Sequence, residues 1–184
     1  LEQLLNKASS AIALGNYGNA LLDNLEHTKK YSVIEVSSFQ LDKMKENNFD
    51  LTVITNIQRD HIDYHGSFEV LETAFLNFVA SIPFYGFATL CIDHPSVQRL
   101  MAGIKDRRII TYGMVATADV RAINMRADGA NMVFDTQLSD RTAGDTTIIT
   151  DIRFPMLGDH NVQNCLAAIA VALEMNIPAD AIRN

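Results

Sequence analysis

The chain has 184 residues, 48% hydrophobic and 20% charged, an ordinary globular composition long enough for one sizeable core and a small appended subdomain. Its net charge of -7 argues against a nucleic-acid-binding surface while leaving room for a local positive phosphate site. No apolar run reaches the roughly 18 residues that span a bilayer, no basic-then-apolar leader opens the chain, and Cys91 and Cys165 read as buried thiols without a disulfide, so the expected setting is a reducing cytoplasm.

Leu1, Leu4, Leu5 and Ala8 keep helical spacing with no capping residue before them. The final stretch, residues 178–184, opens a helix and stops; both ends predict a piece of a longer protein. Ser10–Leu14 reads as a short apolar strand, Gly15-Asn16-Tyr17-Gly18 as a tight turn, and residues 19–27 as a helix. Ser32–Val36 is a continuous, β-branched run, expected to be a buried strand, followed by a helix over 38–46. Leu51–Ile57 predicts a second buried strand. An amphipathic helix over 67–81 presents Leu71, Ala74, Phe75, Phe78 and Val79 on one face. Strands follow at Ala88–Ile92 and Arg108–Tyr112, separated by a helix that Asp93 can cap with Pro95 in its first turn.

Over residues 119–156 the pattern becomes strand-like alternation broken by turn signals. Met132, Phe134 and Leu138 share one face, Ile148, Ile152 and Phe154 another, and Asp128-Gly129 marks a hairpin or a slightly longer loop. This predicts a small antiparallel subdomain attached to a parallel sheet. Gly158-Asp159-His160-Asn161 then leads into a helix with Val162, Cys165, Leu166, Ile169 and Leu173 inward. Phe75, Phe78 and Met156 are expected in the core.

Two of these strands end abruptly in chemically capable residues. Val33, Ile34 and Val36 run into Glu35, Ser37 and Ser38; Leu51, Val53 and Ile54 run into Thr55, Asn56, Asp60 and His61. Ligands collect at the carboxyl ends of strands in an open parallel α/β sheet. Two neighbouring strand ends would place a carboxylate and an imidazole in one crevice, an arrangement suited to a divalent metal beside a phosphate.

The order of these motifs resembles the central, ATP-binding domain of the Mur ligase family, which joins amino acids to UDP-N-acetylmuramic acid. Gly15–Gly18 is similar to the turn that contacts the UDP-sugar, Glu35-Val-Ser-Ser-Phe-Gln40 to the metal-and-phosphate strand end, Thr55-Asn-Ile57 with Asp60-His-Ile-Asp63 to the second metal-site strand, and His160-Asn-Val-Gln-Asn164 to the helix start that contacts adenosine. The resemblance implies an α/β fold, a mostly parallel sheet flanked by helices (like P-loop nucleotide hydrolases), with residues 1–184 an incomplete central domain and 119–156 its antiparallel subdomain. It also implies ATP and Mg2+ as cofactors. From Phe68 onward, Pro83-Phe-Tyr-Gly-Phe-Ala88, Cys91-Ile-Asp-His-Pro95 and Arg107–Gly113 resemble the L-alanine-adding subtype, whose partners are UDP-N-acetylmuramate and L-alanine. The first third resembles the D-glutamate-adding subtype through Glu35–Leu41; the longer match is weighted. The family's Gly-Lys-Thr/Ser phosphate loop is absent from these residues. Other subtypes carry a carbamylated lysine at a position near Asn77, and its absence fits the alanine-adding subtype.

The resemblance assigns Glu35 and His61 to catalysis and to magnesium, against the plainer reading of a strand-end carboxylate and a capping histidine. Asn16, Ser37 and Ser38 are assigned to the substrate, although turn and helix-capping roles explain them too. Asn56, His160, Asn161 and Asn164 are assigned to the nucleotide, with strand-end or helix-surface roles as alternatives. Asp60 either orients His61 or serves the turn, Asp63 either caps the loop or serves the turn, and His65 reads as a loop residue. The expected function is an ATP-dependent amide ligase acting through an acyl phosphate. A non-catalytic nucleotide or UDP-sugar binding module and a metal-dependent hydrolase built on Asp60, His61 and Asp63 are the alternatives.

Overall fold

In a computed structural model, residues 1–15, 20, 22–24, 28–44, 49–143 and 147–183 are described. The strand β4 (Phe87–Cys91) shows why the sheet is central: all five of its residues are buried. Phe87 and Cys91 face one core and Ala88 and Leu90 the other, the period-2 signature of a strand covered on both sides. On one face lie α4 (Phe68–Ala80), which contributes Phe68, Leu71 and Val79, and α5 (Pro95–Gly103), which contributes Val97 and Leu100. On the other lie α1 (Glu2–Ala8), α6 (Asp159–Glu174) and α7 (Ala179–Arg183).

The six-stranded sheet runs β3 (Leu51–Ile54), β4, β5 (Arg108–Gly113), β6 (Val120–Asp128), β7 (Asn131–Leu138) and β8 (Ile148–Phe154), in chain order. Pairing is parallel from β3 to β6 and antiparallel from β6 to β8. The antiparallel strands therefore continue the parallel sheet. The β5–β6 connection is far shorter than a normal parallel crossover of a dozen or more residues. It works because only Tyr112 opposite Val120 and Gly113 opposite Arg121 overlap. Buried Asp119 holds this junction by accepting bonds from the Thr111 amide (3.0 Å) and hydroxyl (2.8 Å) and the Ser139 hydroxyl (2.8 Å).

Several expectations need correction. Ile148 is exposed whereas Ile149 and Ile152 are buried. Asp151 takes a left-handed φ of 55°, and the register slips beside it, so inward residues fall three apart and simple alternation fails. Asp93 does not cap α5: His94 occupies the N-cap position. The Asp93 carboxylate instead accepts the Met114 (2.9 Å) and Val115 (3.1 Å) amides and Gln163 Nε2 (2.8 Å). Met156 is about half exposed, beside equally exposed Leu157, on the loop from β8 to α6. The second strand stops at Ile54, where its ladder with β4 ends. Of the helix expected over 19–27, the described residues include a short 3-10 turn at Leu22–Asn24. Both cysteines are free, but Cys165 is half-buried rather than buried. Among the described residues, no helix is long and apolar enough to cross a membrane.

The remaining two strands, β1 (Ala11–Gly15) and β2 (Tyr31–Glu35), form a separate parallel pair. Among the described residues, β2 and β3 share no ladder. Between them lies a cavity of about 720 Å³, walled by Tyr31–Ile34 on one side and Leu51–Ile54 on the other. Consecutive strand residues point to opposite faces, so walls made of four in a row are strand edges. This open slot is why Val33 and Ile34 are half-buried although their sequence reads as a fully buried strand.

Candidate functional site

Glu35 ends β2, opposite Gly15 at the end of β1. Gly15 has a φ of 120°, and a Cβ there would lie 2.3 Å from the Glu35 carbonyl oxygen. Only glycine fits this approach without strain. The Glu35 side chain is exposed and makes no ion pair among the described residues. Two residues later α2 (Ser38–Lys43) begins in a capping box: Gln40 N donates to Ser37 Oγ, and Ser37 N donates to Gln40 Oε1 at 2.8 Å. The Ser37 hydroxyl thus serves the helix start in this structure.

His61 lies beyond β3, at the N-cap position of the four-residue helix α3 (Ile62–His65), in the left-handed region with φ 57°. Its side chain makes no capping bond, and it is exposed. A non-glycine residue at positive φ is uncommon, with Asn, Asp and His enriched there, and Asp106, Asn124, Asp151 and Asn176 share it, so the backbone alone does not single out His61. Asp60 and Asp63 are exposed beside it, and among the described residues no hydrogen bond joins either to the imidazole.

The two strand ends meet through α2 and α3. The Phe39 ring lies 4.7 Å from the His61 ring and 4.6 Å from that of Tyr64. His65 is buried, and its Nε2 lies 3.1 Å from Ser38 Oγ. Tyr64 donates its hydroxyl to Asp42 at 3.2 Å. Burial and this carboxylate hold the Tyr64 hydroxyl above its ordinary pKa. So the Glu35 segment and the His61 segment are drawn into contact, as two strand ends bordering one crevice require.

The helix α6 borders the slot between β2 and β3, whose lining includes neither Glu35 nor His61. Asn164 lines the slot together with Val36 and Thr55, just beyond β2 and β3. Its amide nitrogen is 3.2 Å from His160 Nε2. Asn161 turns away and donates to the Leu157 carbonyl at 2.8 Å, so the structure brings His160 and Asn164 together but leaves Asn161 on the helix entry. Gln163 on Asp93 anchors this helix start to the ends of β4 and β5. Asn56 is half-buried. Asn16 lies outside the described residues. Sequence reasoning missed Phe39, Asp42, Tyr64 and the burial of His65; the aromatic pair Tyr64-His65 just after His61 was the available signal.

Among the described residues, no three His, Cys, Asp or Glu side chains converge to hold a metal. Glu35 and His61 are two exposed donors. The exposed carboxylate of Glu35 is a donor of the kind a nucleotide-borne Mg2+ takes, since that ion binds through one or two carboxylates and completes its shell with phosphate oxygens and water; the His61 imidazole is an atypical partner for so hard a cation, directly or through water.

Residues 15–172 match the Mur ligase middle domain. The chain belongs to the Mur ligase family. Over 134 residues it is 52% identical to a UDP-N-acetylmuramate–L-alanine ligase of Brucella anthropi, an alignment covering 73% of this chain and 28% of that protein. The chain thus spans little more than a quarter of this Mur ligase relative. Its fold matches MurF from Acinetobacter baumannii with a TM-score of 0.76 at 20% identity, covering 98% of this chain and 40% of that one. MurF ligase from Thermotoga maritima, solved in complex with ADP, matches with a TM-score of 0.76 at 12% identity, covering 99% of this chain and 43% of that one.

Proposed function

We propose that this chain is the central domain of a cytoplasmic, ATP-dependent ligase that adds L-alanine to UDP-N-acetylmuramate in peptidoglycan precursor synthesis. The observation that carries the reading is the meeting of the Glu35 and His61 segments through Phe39, with Asn164 at the mouth of the slot beside them. The 52% identity to an L-alanine ligase favours that amino acid over D-glutamate.

The reaction has two steps. A substrate carboxylate oxygen attacks the γ-phosphorus of ATP, giving an acyl phosphate and ADP. The amino group of L-alanine then attacks the acyl carbon, loses a proton, and expels inorganic phosphate. Charge gathers on phosphoryl oxygens throughout, so positioning and cationic stabilisation supply most of the catalysis. Glu35 and His61 would hold Mg2+, which supplies Lewis-acid stabilisation of those oxygens when bound. Asn164 offers an amide to adenine, oriented by its contact with His160. Ser37, Ser38 and Asn16 are the substrate-side candidates.

The slot supports a place for the phosphate loop that these residues lack. Ser38–His65 and Phe39–His61 contacts join the carboxyl ends of β2 and β3, so both strands run the same way. A strand of five residues is about 16 Å long at about 3.3 Å per residue, the length of β2, whose residues Tyr31–Ile34 wall the slot. One further parallel strand in the slot would deliver its carboxyl end between Glu35 and His61, where a phosphate loop belongs.

Glu35→Ala and His61→Ala in the complete protein test the reading by phosphate release with ATP and Mg2+. Each should lose about a hundredfold or more in turnover while keeping the melting temperature. Unchanged kinetics would remove these residues from the site.

A further inference from the structure

On the ligase reading above, Glu35 and His61 must be held at a fixed separation, yet the sheet does not hold them. β2 and β3 share no ladder among the described residues, and the slot lies between them. At their carboxyl ends the described contacts across the gap run from α2 to α4, which packs along it, and from α2 to α3, which carries the polar and ring contacts nearest His61. We propose that Ser38, Phe39 and His65 form a brace that sets the distance between Glu35 and His61, making His65 a positioning residue for the metal site rather than a loop residue or a ligand.

Four observations carry this. His65 is only 8% exposed, and a buried imidazole is costly unless bonded. Its Nε2 finds Ser38 Oγ at 3.1 Å, on the segment that begins three residues after Glu35. An apolar residue would fill the same space without that directional bond, so the imidazole adds geometry that packing alone does not. Between the two, the Phe39 ring touches His61 at 4.7 Å, Tyr64 at 4.6 Å and His65 at 5.8 Å, stacked on the last. The Tyr64–Asp42 bond adds a second polar tie between the same helices. His61 lies one helical turn before His65, so any shift of α3 against α2 moves His61 relative to Glu35. Mg2+ demands near-ideal octahedral geometry and tolerates little such movement. The Ser38 hydroxyl is occupied by the brace, which moves Ser38 from the substrate candidates to the positioning ones.

The test uses the complete protein, with Mn2+ binding read by electron paramagnetic resonance in the presence of a non-hydrolysable ATP analogue. His65→Leu and Ser38→Ala should each weaken Mn2+ binding about tenfold, the usual scale for residues that support metal ligands. The double variant should be no weaker than the worse single, because one bond is lost in all three. His65→Gln, whose amide reaches the Nε2 position, should restore most of the affinity; a merely space-filling role would not distinguish Gln from Leu in this way. Wild-type Mn2+ affinity in Ser38→Ala, or fully additive losses in the double variant, would overturn the brace. Should His65→Leu not fold, Ser38→Ala and His65→Gln decide the matter. Weakened binding in Glu35→Ala with no change in the brace variants would overturn the brace alone. Wild-type affinity in both Glu35→Ala and His61→Ala would overturn the metal reading on which it rests.

Discussion

Asp119→Ala should be among the most damaging single substitutions outside the candidate site. The carboxylate is 6% exposed and sits where the parallel sheet hands over to the antiparallel strands. It accepts the Thr111 amide at 3.0 Å, the Thr111 hydroxyl at 2.8 Å and the Ser139 hydroxyl at 2.8 Å, with Arg141 3.8 Å away. Hydrogen bonds to a charged group contribute about 1.5–3 kcal/mol each, and each buried partner left unpaired costs about 1–3 kcal/mol. The bonds share one acceptor, so they do not simply add, and the expected loss is about 3–5 kcal/mol. That is a large part of the about 5–15 kcal/mol that holds a typical domain. Asp119→Asn keeps one acceptor oxygen and loses the charge, with an expected cost of about 1–2 kcal/mol. Urea unfolding at pH 7 followed by circular dichroism reads both. Asp119→Ala within about 0.5 kcal/mol of wild type would refute the junction argument. The pH dependence carries a sign. Burial alone would raise the Asp119 pKa, but the Thr111 amide, the Ser139 and Thr111 hydroxyls and Arg141 together hold it below its ordinary value. A depressed acid stabilises the fold above its unfolded pKa of about 3.9. That stability is lost as pH falls from there through the folded value, and the Asp119→Asn variant should lack this part of the acid sensitivity.

Gly15→Ala should cost at least about 1–2 kcal/mol from the left-handed backbone alone, with further strain because its Cβ would meet the Glu35 carbonyl at 2.3 Å. Melting temperature and phosphate release should fall together in the complete protein; no change in either would contradict the close approach. Burial pushes the thiols of Cys91 and Cys165 up to about 11, so at pH 8 about one thiol in a thousand is ionised. Iodoacetamide should label both slowly until denaturant is added, and rapid labelling of the native protein would refute that.

Much of this fold was legible because its strands are strongly patterned. The run Phe87–Cys91 is apolar and uninterrupted, and all five residues are buried. The helix at 68–80 follows its apolar spacing, with Ser67 accepting the Val70 amide at its start. What escaped was set by tertiary partners. Asp93 looked like a helix cap because it precedes Pro95, but the two amides beyond β5 reach it first. Asp151 carries no local mark of a bulge, so the reversal of Ile148 and Ile149 could not be read from alternation. Among the candidate site residues, Glu35, His61 and Asn164 stood out in the sequence by residue type and position at strand and helix ends. His65 did not, because its meaning lies in a bond to Ser38, 27 residues away.

The central claim is tested most directly by phosphate release from the complete protein with ATP and Mg2+. UDP-N-acetylmuramate with L-alanine is compared against UDP-N-acetylmuramoyl-L-alanine with D-glutamate. Release with the first pair alone is the predicted result. Release with the second pair alone would mean that the Glu35–Leu41 segment carried the specificity signal, and release with neither would leave a nucleotide or UDP-sugar binding module in place of a ligase.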